Sequence, residues 1–217
     1  MLNIFKNIHV RICEQGIFCT FLFYVLHMMD IMYGYGIFQR RIAIKWTSRI
    51  SGTKYMKIGH NFSAGEYLWL SAIDIHYSHG VLKRFAPQII IGNNVSVEDF
   101  VHIGCVNHIE IGDNVLMGSK IYITDHNHGI YNGEIQSNPL TPPAGRSLDE
   151  HKEVVIGSNT WIGEFVTILP GVHIGEGCII GTHSVVSHDI LPYSIAVGAP
   201  ARVIKQFDFK NKKWVRV

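Results

Sequence analysis

Cysteine is scarce: four in 217 residues, Cys13, Cys19, Cys105 and Cys178, with no paired spacing. That excludes a disulfide framework and a CxxC metal site, and it favours a reducing compartment, the cytoplasm. Charge is also thin, at 17% of the chain, and no basic run interleaved with aromatics marks a nucleic-acid surface. No apolar run reaches the roughly 20 residues that span a bilayer. The longest, Gly16 to Met29, is about fourteen residues. No small-x-small site follows it, so a cleaved signal peptide is not expected.

What is present is a repeat of six. From Ile91 the chain reads IGNNVS, VEDFVH, IGCVNH; after the extra pair Ile109 and Glu110 it reads IGDNVL, MGSKIY, ITDHNH. From Ile156 it resumes as IGSNTW, IGEFVT, ILPGVH, IGEGCI, IGTHSV, VSHDIL, and IGHNFS at Ile58 with AGEYLW at Ala64 fits the same template. Six residues make one short strand plus a turn, and three such strands close a triangular coil with the opening aliphatic residue pointing inward. Gly in second place tolerates positive φ and close backbone approach. A sandwich of short strands also gives regular spacing, but the strict phase after Ile156 fits the prism better. The expected fold is an all-β solenoid, a parallel β-helix of hexapeptide repeats over residues 51–206. Cys105 and Cys178 fall inside repeat units as small core residues. Residues 71–87 interrupt the repeat as a longer, aromatic-rich coil edge or loop.

The net charge of +2 is spread unevenly. Residues 1–57 hold eight Lys or Arg against Glu14 and Asp30; residues 58–201 hold five basic and fourteen acidic residues; the tail from Arg202 holds six basic residues against Asp208. An acidic barrel lies between two basic ends, and 207–217 reads as a basic tail. In the amino-terminal segment, 1–50, Ile17, Phe21, Val25 and Met29 recur at helical spacing, and Gly34 and Gly36 are expected to end that helix. Three readings of it stay open: packing on the barrel or a neighbouring subunit, lying in a membrane interface with basic flanks on anionic lipid, or spanning.

Chemistry is expected at the break in the repeat. ITDHNHGIY places His126 and His128 at the end of one coil, and the loop 129–152 then leaves the scaffold. An irregular excursion from a regular scaffold tends to carry function. His126 follows Asp125, a carboxylate able to orient an imidazole, and a neutral His is the usual general base for a hydroxyl. His9, His60, His102, His108, His151 and His173 take the structural default. A zinc site between subunits, from His126 with His128 or His76 with His79, is the competing reading, but the spacing repeats no strong ligand pattern, so no metal is expected.

The strings IGDNVLMG, ITDHNHG, WIGEFVTILPGVHIGEGCIIGTHSVV and VGAPARVIK resemble the hexapeptide-repeat acyltransferases, most of all the bacterial sugar O-acetyltransferases of lipopolysaccharide and capsule. The likeness covers about residues 87–206. It implies a left-handed β-helix, a homotrimer, and acetyl-CoA bound between two barrels. It also implies that His126 is the catalytic base, with Trp161 bordering the reaction centre; Asp125 by adjacency and His128, which would face the same side of a strand, are the further catalytic candidates. By the same resemblance Glu164, Thr182, Ser187 and His188 line the pantetheine groove, and Arg202 and Lys205 lie near the CoA phosphates, where cations belong. The galactoside and maltose enzymes have an Asn where this chain has Glu98, a short helical amino-terminal module missing here, and a shorter insertion before Trp161. These departures argue against free galactoside or maltose as acceptor.

The function this implies is acetyl-CoA-dependent O-acetylation of a bacterial surface polysaccharide or its lipid-linked precursor. The expected location is cytoplasmic, with peripheral contact at the inner membrane surface. The alternatives are an N-acetyltransferase of an amino sugar or small molecule, and a metal-binding or non-catalytic trimeric scaffold.

Overall fold

The computed structural model describes residues 2–78, 81–149 and 152–217. Short strands follow one another at Ala43–Ile44, Arg49–Ser51 and Met56–Ile58, and the cycle then recurs up the chain. Each strand pairs in parallel with its counterpart one turn later: Ser96 with Leu116, His102 with Tyr122 and, across the long excursion, His108 with Glu153. The chain thus visits three parallel sheets in rotation, which makes a three-sided coil. The first sheet runs from Ala43–Ile44 to Ser194–Val197, the second from Arg49–Ser51 to Val185–Val186, and the third from Met56–Ile58 to His173–Ile174.

Alternation within each strand sends two residues inward: Val95 and Val97, Val101 and Ile103, Ile109 and Ile111, Val115 and Met117, Ile121 and Ile123 are all buried in one core. Equivalent positions stack, so Leu70, Ile103, Ile123 and Ile168 form one column on the second sheet. Full burial of such a side chain is worth about 1.5–3 kcal/mol, and each coil covers only its neighbours, so the gain accumulates coil by coil.

The repeat's glycine serves close approach rather than positive φ. A Cβ on Gly92 would lie 2.7 Å from the Gly112 carbonyl carbon, and one on Gly112 would lie 2.6 Å from the Ser158 nitrogen. Left-handed backbone falls instead on the fourth place of the unit. On the corner from the third sheet to the first those residues are Asn61, Asn94, Asn114 and Asn159. Their side-chain amides bond in series at 2.9, 3.0 and 3.1 Å. On the corner from the first sheet to the second they are Tyr67, Phe100, Lys120, Phe165 and His183, with Tyr67 stacked on Phe100 and Phe165 on His183.

The third corner, from the second sheet to the third, carries both interruptions. Residues 71–87 contain an antiparallel hairpin, Ile75–Ser78 with Val81–Arg84. The 129–152 loop leaves the same corner two coils on. A second, small core of Phe85, Val106 and Leu148 ties hairpin, intervening corner and loop together. Arg146 staples the loop from within, donating to the carbonyls of Thr141 and Pro139 and to the Tyr131 hydroxyl.

The ends differ from expectation. The amino-terminal helix α1 (Leu2–Phe38) runs through Gly34 and Gly36 and is broken at Gly16 (φ 82°, ψ 163°). The break turns the chain back so that the Arg11 guanidinium sits 3.8 Å above the Phe23 ring. Gly34 does not stop the helix because it is needed where the helix meets the barrel: a Cβ there would fall 2.3 Å from the Ile42 carbonyl oxygen. Lys45 and the buried Asp30 lock the same junction at 2.8 Å. The coil starts at Ala43, upstream of the expected boundary at 51, and the basic tail is ordered. Arg202–Asp208 and Lys213–Arg216 add two antiparallel strands to the first sheet.

Candidate active site

The site is built where the second-sheet strand Tyr122–Thr124 ends and the coil opens. The turn that follows has no strand alternation, so two adjacent side chains converge. Asp125 Oδ1 lies 2.9 Å from His126 Nδ1. Asp125 is fully buried, and its carboxylate accepts the backbone N–H groups of Val106 at 3.0 and 3.1 Å and Asn107 at 2.8 Å. These bonds anchor it to the corner of the preceding coil and satisfy oxygens that burial removes from water. Thr124 Oγ1 lies 3.2 Å from the same imidazole nitrogen. With Nδ1 so engaged, Nε2 of His126 is the nitrogen left for chemistry. The ring is 11% exposed, enough for access and little enough to limit water.

Two more imidazoles flank it. His102, one coil below, stacks on Trp69 at 4.0 Å and 5°. Its pKa lies below the ordinary value, chiefly through burial and then through His126 and Arg49. His76, on the hairpin, packs edge-on against His128 at 6.0 Å. Burial, then His128 and His126, lower its pKa, and its buried Nε2 has no hydrogen-bond partner. His128 is exposed and pairs in a short bridge with Leu148, so it holds the start of the loop. Sequence reasoning gave His102 the structural default because its neighbour in space lies more than twenty residues along the chain. The coil register, His102 beside Tyr122, was the signal that could have found it.

The other sequence-derived candidates fall elsewhere. Glu98, Trp161, Glu164 and Thr182 come together, lining a groove of about 460 Å³ where the first sheet turns into the second, with Leu116, Met117 and Ser119. His126 lies at the next corner, beyond the second-sheet strand Tyr122–Thr124. Ser187 and His188 share the His126 corner two coils further on, with Ser187 Oγ 2.9 Å from His188 Nδ1. Arg202 and Lys205 lie on the first antiparallel strand appended to the first sheet. Among the described residues no three His, Cys, Asp or Glu side chains gather to hold a metal ion; His79 and His151 lie outside the described residues.

The family described as bacterial transferase hexapeptide (six repeats) matches residues 153–188. WbbJ of Escherichia coli K12, assigned by name to lipopolysaccharide biosynthesis as an O-acetyl transferase, is 38% identical over 172 residues, covering 79% of this chain and 82% of that protein. Galactoside O-acetyltransferase of the same organism is 32% identical over 158 residues, covering 70% of this chain and 67% of that protein. Among solved structures, AntD, an N-acyltransferase from Bacillus cereus in complex with dTDP and 3-hydroxybutyryl-CoA, superposes with a TM-score of 0.59 at 21% identity. The match covers 79% of this chain and 83% of that one, and it is a likeness of fold.

Proposed function

The chain belongs to the hexapeptide-repeat transferase family and is an acetyltransferase of that family; from this premise we propose that it transfers acetyl from acetyl-CoA to a sugar hydroxyl of a bacterial surface polysaccharide or its lipid-linked precursor. The family and the likeness to AntD imply the left-handed sense for the coil. The observation that carries the functional reading is the buried Asp125 carboxylate bonded to Nδ1 of His126 at the corner where the coil opens. Asp125 fixes the imidazole's orientation and stabilises its charged form, and Nε2 faces the acceptor.

The acceptor O–H bond breaks as its proton passes to Nε2. The freed oxygen bonds to the thioester carbonyl carbon. The C–S bond then breaks, and the departing thiolate takes the proton back from the imidazolium. General-base help of this kind supplies about 10²–10⁴ in rate. No covalent intermediate on the protein is required.

Acetyl-CoA would lie along the groove of Glu98, Trp161, Glu164 and Thr182, with Arg202 and Lys205 offering cations to its phosphates and Ser187 and His188 touching its pantetheine arm. His126 sits at the next corner of the same chain, with the second sheet between, so a second copy would present its corner to this groove. That supports the homotrimer, with each site shared by two subunits. His128 orders the loop 129–152, which would close over the saccharide.

The location follows from charge and apolar surface. Residues Val10–Phe38 form a helix long and apolar enough to cross a membrane, and its most apolar part is largely exposed. Beyond the bend at Gly16 the straight part, 17–38, is about 33 Å long, and it exposes Ile17, Phe18, Phe21, Met28 and Met32. Arg40 and Arg41 follow at the barrel end, where anionic lipid headgroups would sit. These features support a protein in the cytoplasm, held peripherally on the inner membrane surface.

The enzyme is tested by thiol release from acetyl-CoA against a panel of hexoses, amino sugars and their methyl glycosides. Release with hydroxyl acceptors that vanishes in His126→Ala is expected; equal rates in wild type and variant overturn the assignment. Fractionation of full-length protein and of a form beginning at residue 42 tests the membrane reading, which fails if both partition alike.

A further inference from the structure

Gly104 is a glycine that the fold does not require. It lies in the second-sheet strand His102–Cys105, paired with Thr124 directly beneath the active-site turn. It is not among the positive-φ positions, so no left-handed turn demands it. A Cβ there would meet nothing closer than 3.6 Å, unlike the glycines of the repeat, which face the next coil's backbone. The two atoms at that 3.6 Å distance are Nε2 of His102 and Cε1 of His126. Gly104 is itself buried, and with no side chain there Nε2 of His102 and Cε1 of His126, the carbon between that ring's two nitrogens, flank the same point over its backbone.

His102 is held rigidly beside this point. Its ring is stacked on Trp69, whose other face carries the Arg49 guanidinium at 4.6 Å, and Tyr122 closes the far side at 5.1 Å. Burial and the neighbouring His126 keep it below the usual histidine pKa. At neutral pH it therefore offers one N–H donor and one lone pair. Neither ring nitrogen bonds to another described residue.

We propose that the two imidazoles over Gly104 form the seat of the reacting hydroxyl of the saccharide acceptor, hydrogen-bonded by His102 while His126 takes its proton. This rests on the acyl-transfer reading above. It adds a specificity element: a hydroxyl gripped between two imidazoles must lie on a ring carbon with no bulkier substituent beside it.

The experiment uses the full-length protein, with acetyl-CoA and methyl α-glucoside, methyl α-mannoside and de-O-acetylated lipopolysaccharide as acceptor probes. Gly104→Ala, His102→Asn and His126→Ala are compared by thiol release, CoA affinity by calorimetry, and thermal midpoint. Gly104→Ala is expected to lower kcat/KM for the sugar about tenfold or more by filling the seat. His102→Asn is expected to lower it about 2- to 10-fold, mainly through the sugar's KM. CoA affinity and thermal midpoint of Gly104→Ala should stay near wild type. If both variants match wild type on the sugar while His126→Ala is inactive, the seat is wrong and the acyl-transfer reading stands. If His126→Ala matches wild type, or the wild type releases no thiol with any of these acceptors, that reading falls and takes the seat with it.

Discussion

Asp125 and His126, consecutive in the chain, lie side by side with Oδ1 2.9 Å from Nδ1, and the same carboxylate holds two backbone amides of the coil below. One buried carboxylate therefore serves both the fold and the proposed base. Asp125→Asn keeps the shape but sets an amide N–H against these donors. We expect about 1–3 kcal/mol lost in urea unfolding and turnover down roughly tenfold or more. Unchanged stability with lost turnover would separate the two roles.

His126→Ala removes the proposed base but no buried anchor. Turnover should fall by about 10²–10⁴, with CoA affinity by calorimetry and oligomer mass by light scattering both retained.

Trp161 lies on a first-sheet strand and His126 beyond a second-sheet strand, so the two do not share a corner of the coil. If a site takes its corner from one subunit and its groove from the next, inactive His126→Ala and Trp161→Ala proteins unfolded and refolded together should regain thiol release that neither shows alone. A mixture as inactive as its parts places both residues in one subunit's site or removes Trp161 from it.

The lowered pKa values of His102 and His76 give stability a pH slope of known sign. The unfolded chain takes up protons near the ordinary histidine value of 6.5 that the folded rings resist. Stability is therefore full above that pH and declines as pH falls below it. His102→Asn should flatten the decline in thermal midpoint below pH 6.5, and a slope identical to wild type would assign it to other groups.

Leu148 is buried at 2% exposure with Phe85 and Val106. Leu148→Ala should cost about 2–5 kcal/mol locally, seen as faster proteolytic cutting within 129–152. The coil itself, which Leu148 does not enter, should melt as in wild type.

The coil was legible because inward Ile and Val recur in strict phase, and His126 stood out because the phase breaks after it. What escaped the sequence depended on contacts between distant residues. The hairpin at 75–84 has no repeat signature. The appended strands at 202–216 read only as charge. The helix passes Gly34 because Ile42 lies against it, a tertiary reason that overrides helix propensity. The convergence of Asp125 and His126 depends on a turn, where strand alternation gives no guidance.

Both excursions depart from one corner and rejoin the next sheet in register, with His108 beside Glu153 just as it is beside Gln88. The scaffold is thus indifferent to what lies between departure and return. Such inserts behave as exchangeable cassettes: grafting another 129–152 segment here would redirect the enzyme toward a different acceptor while the prism beneath kept its frame.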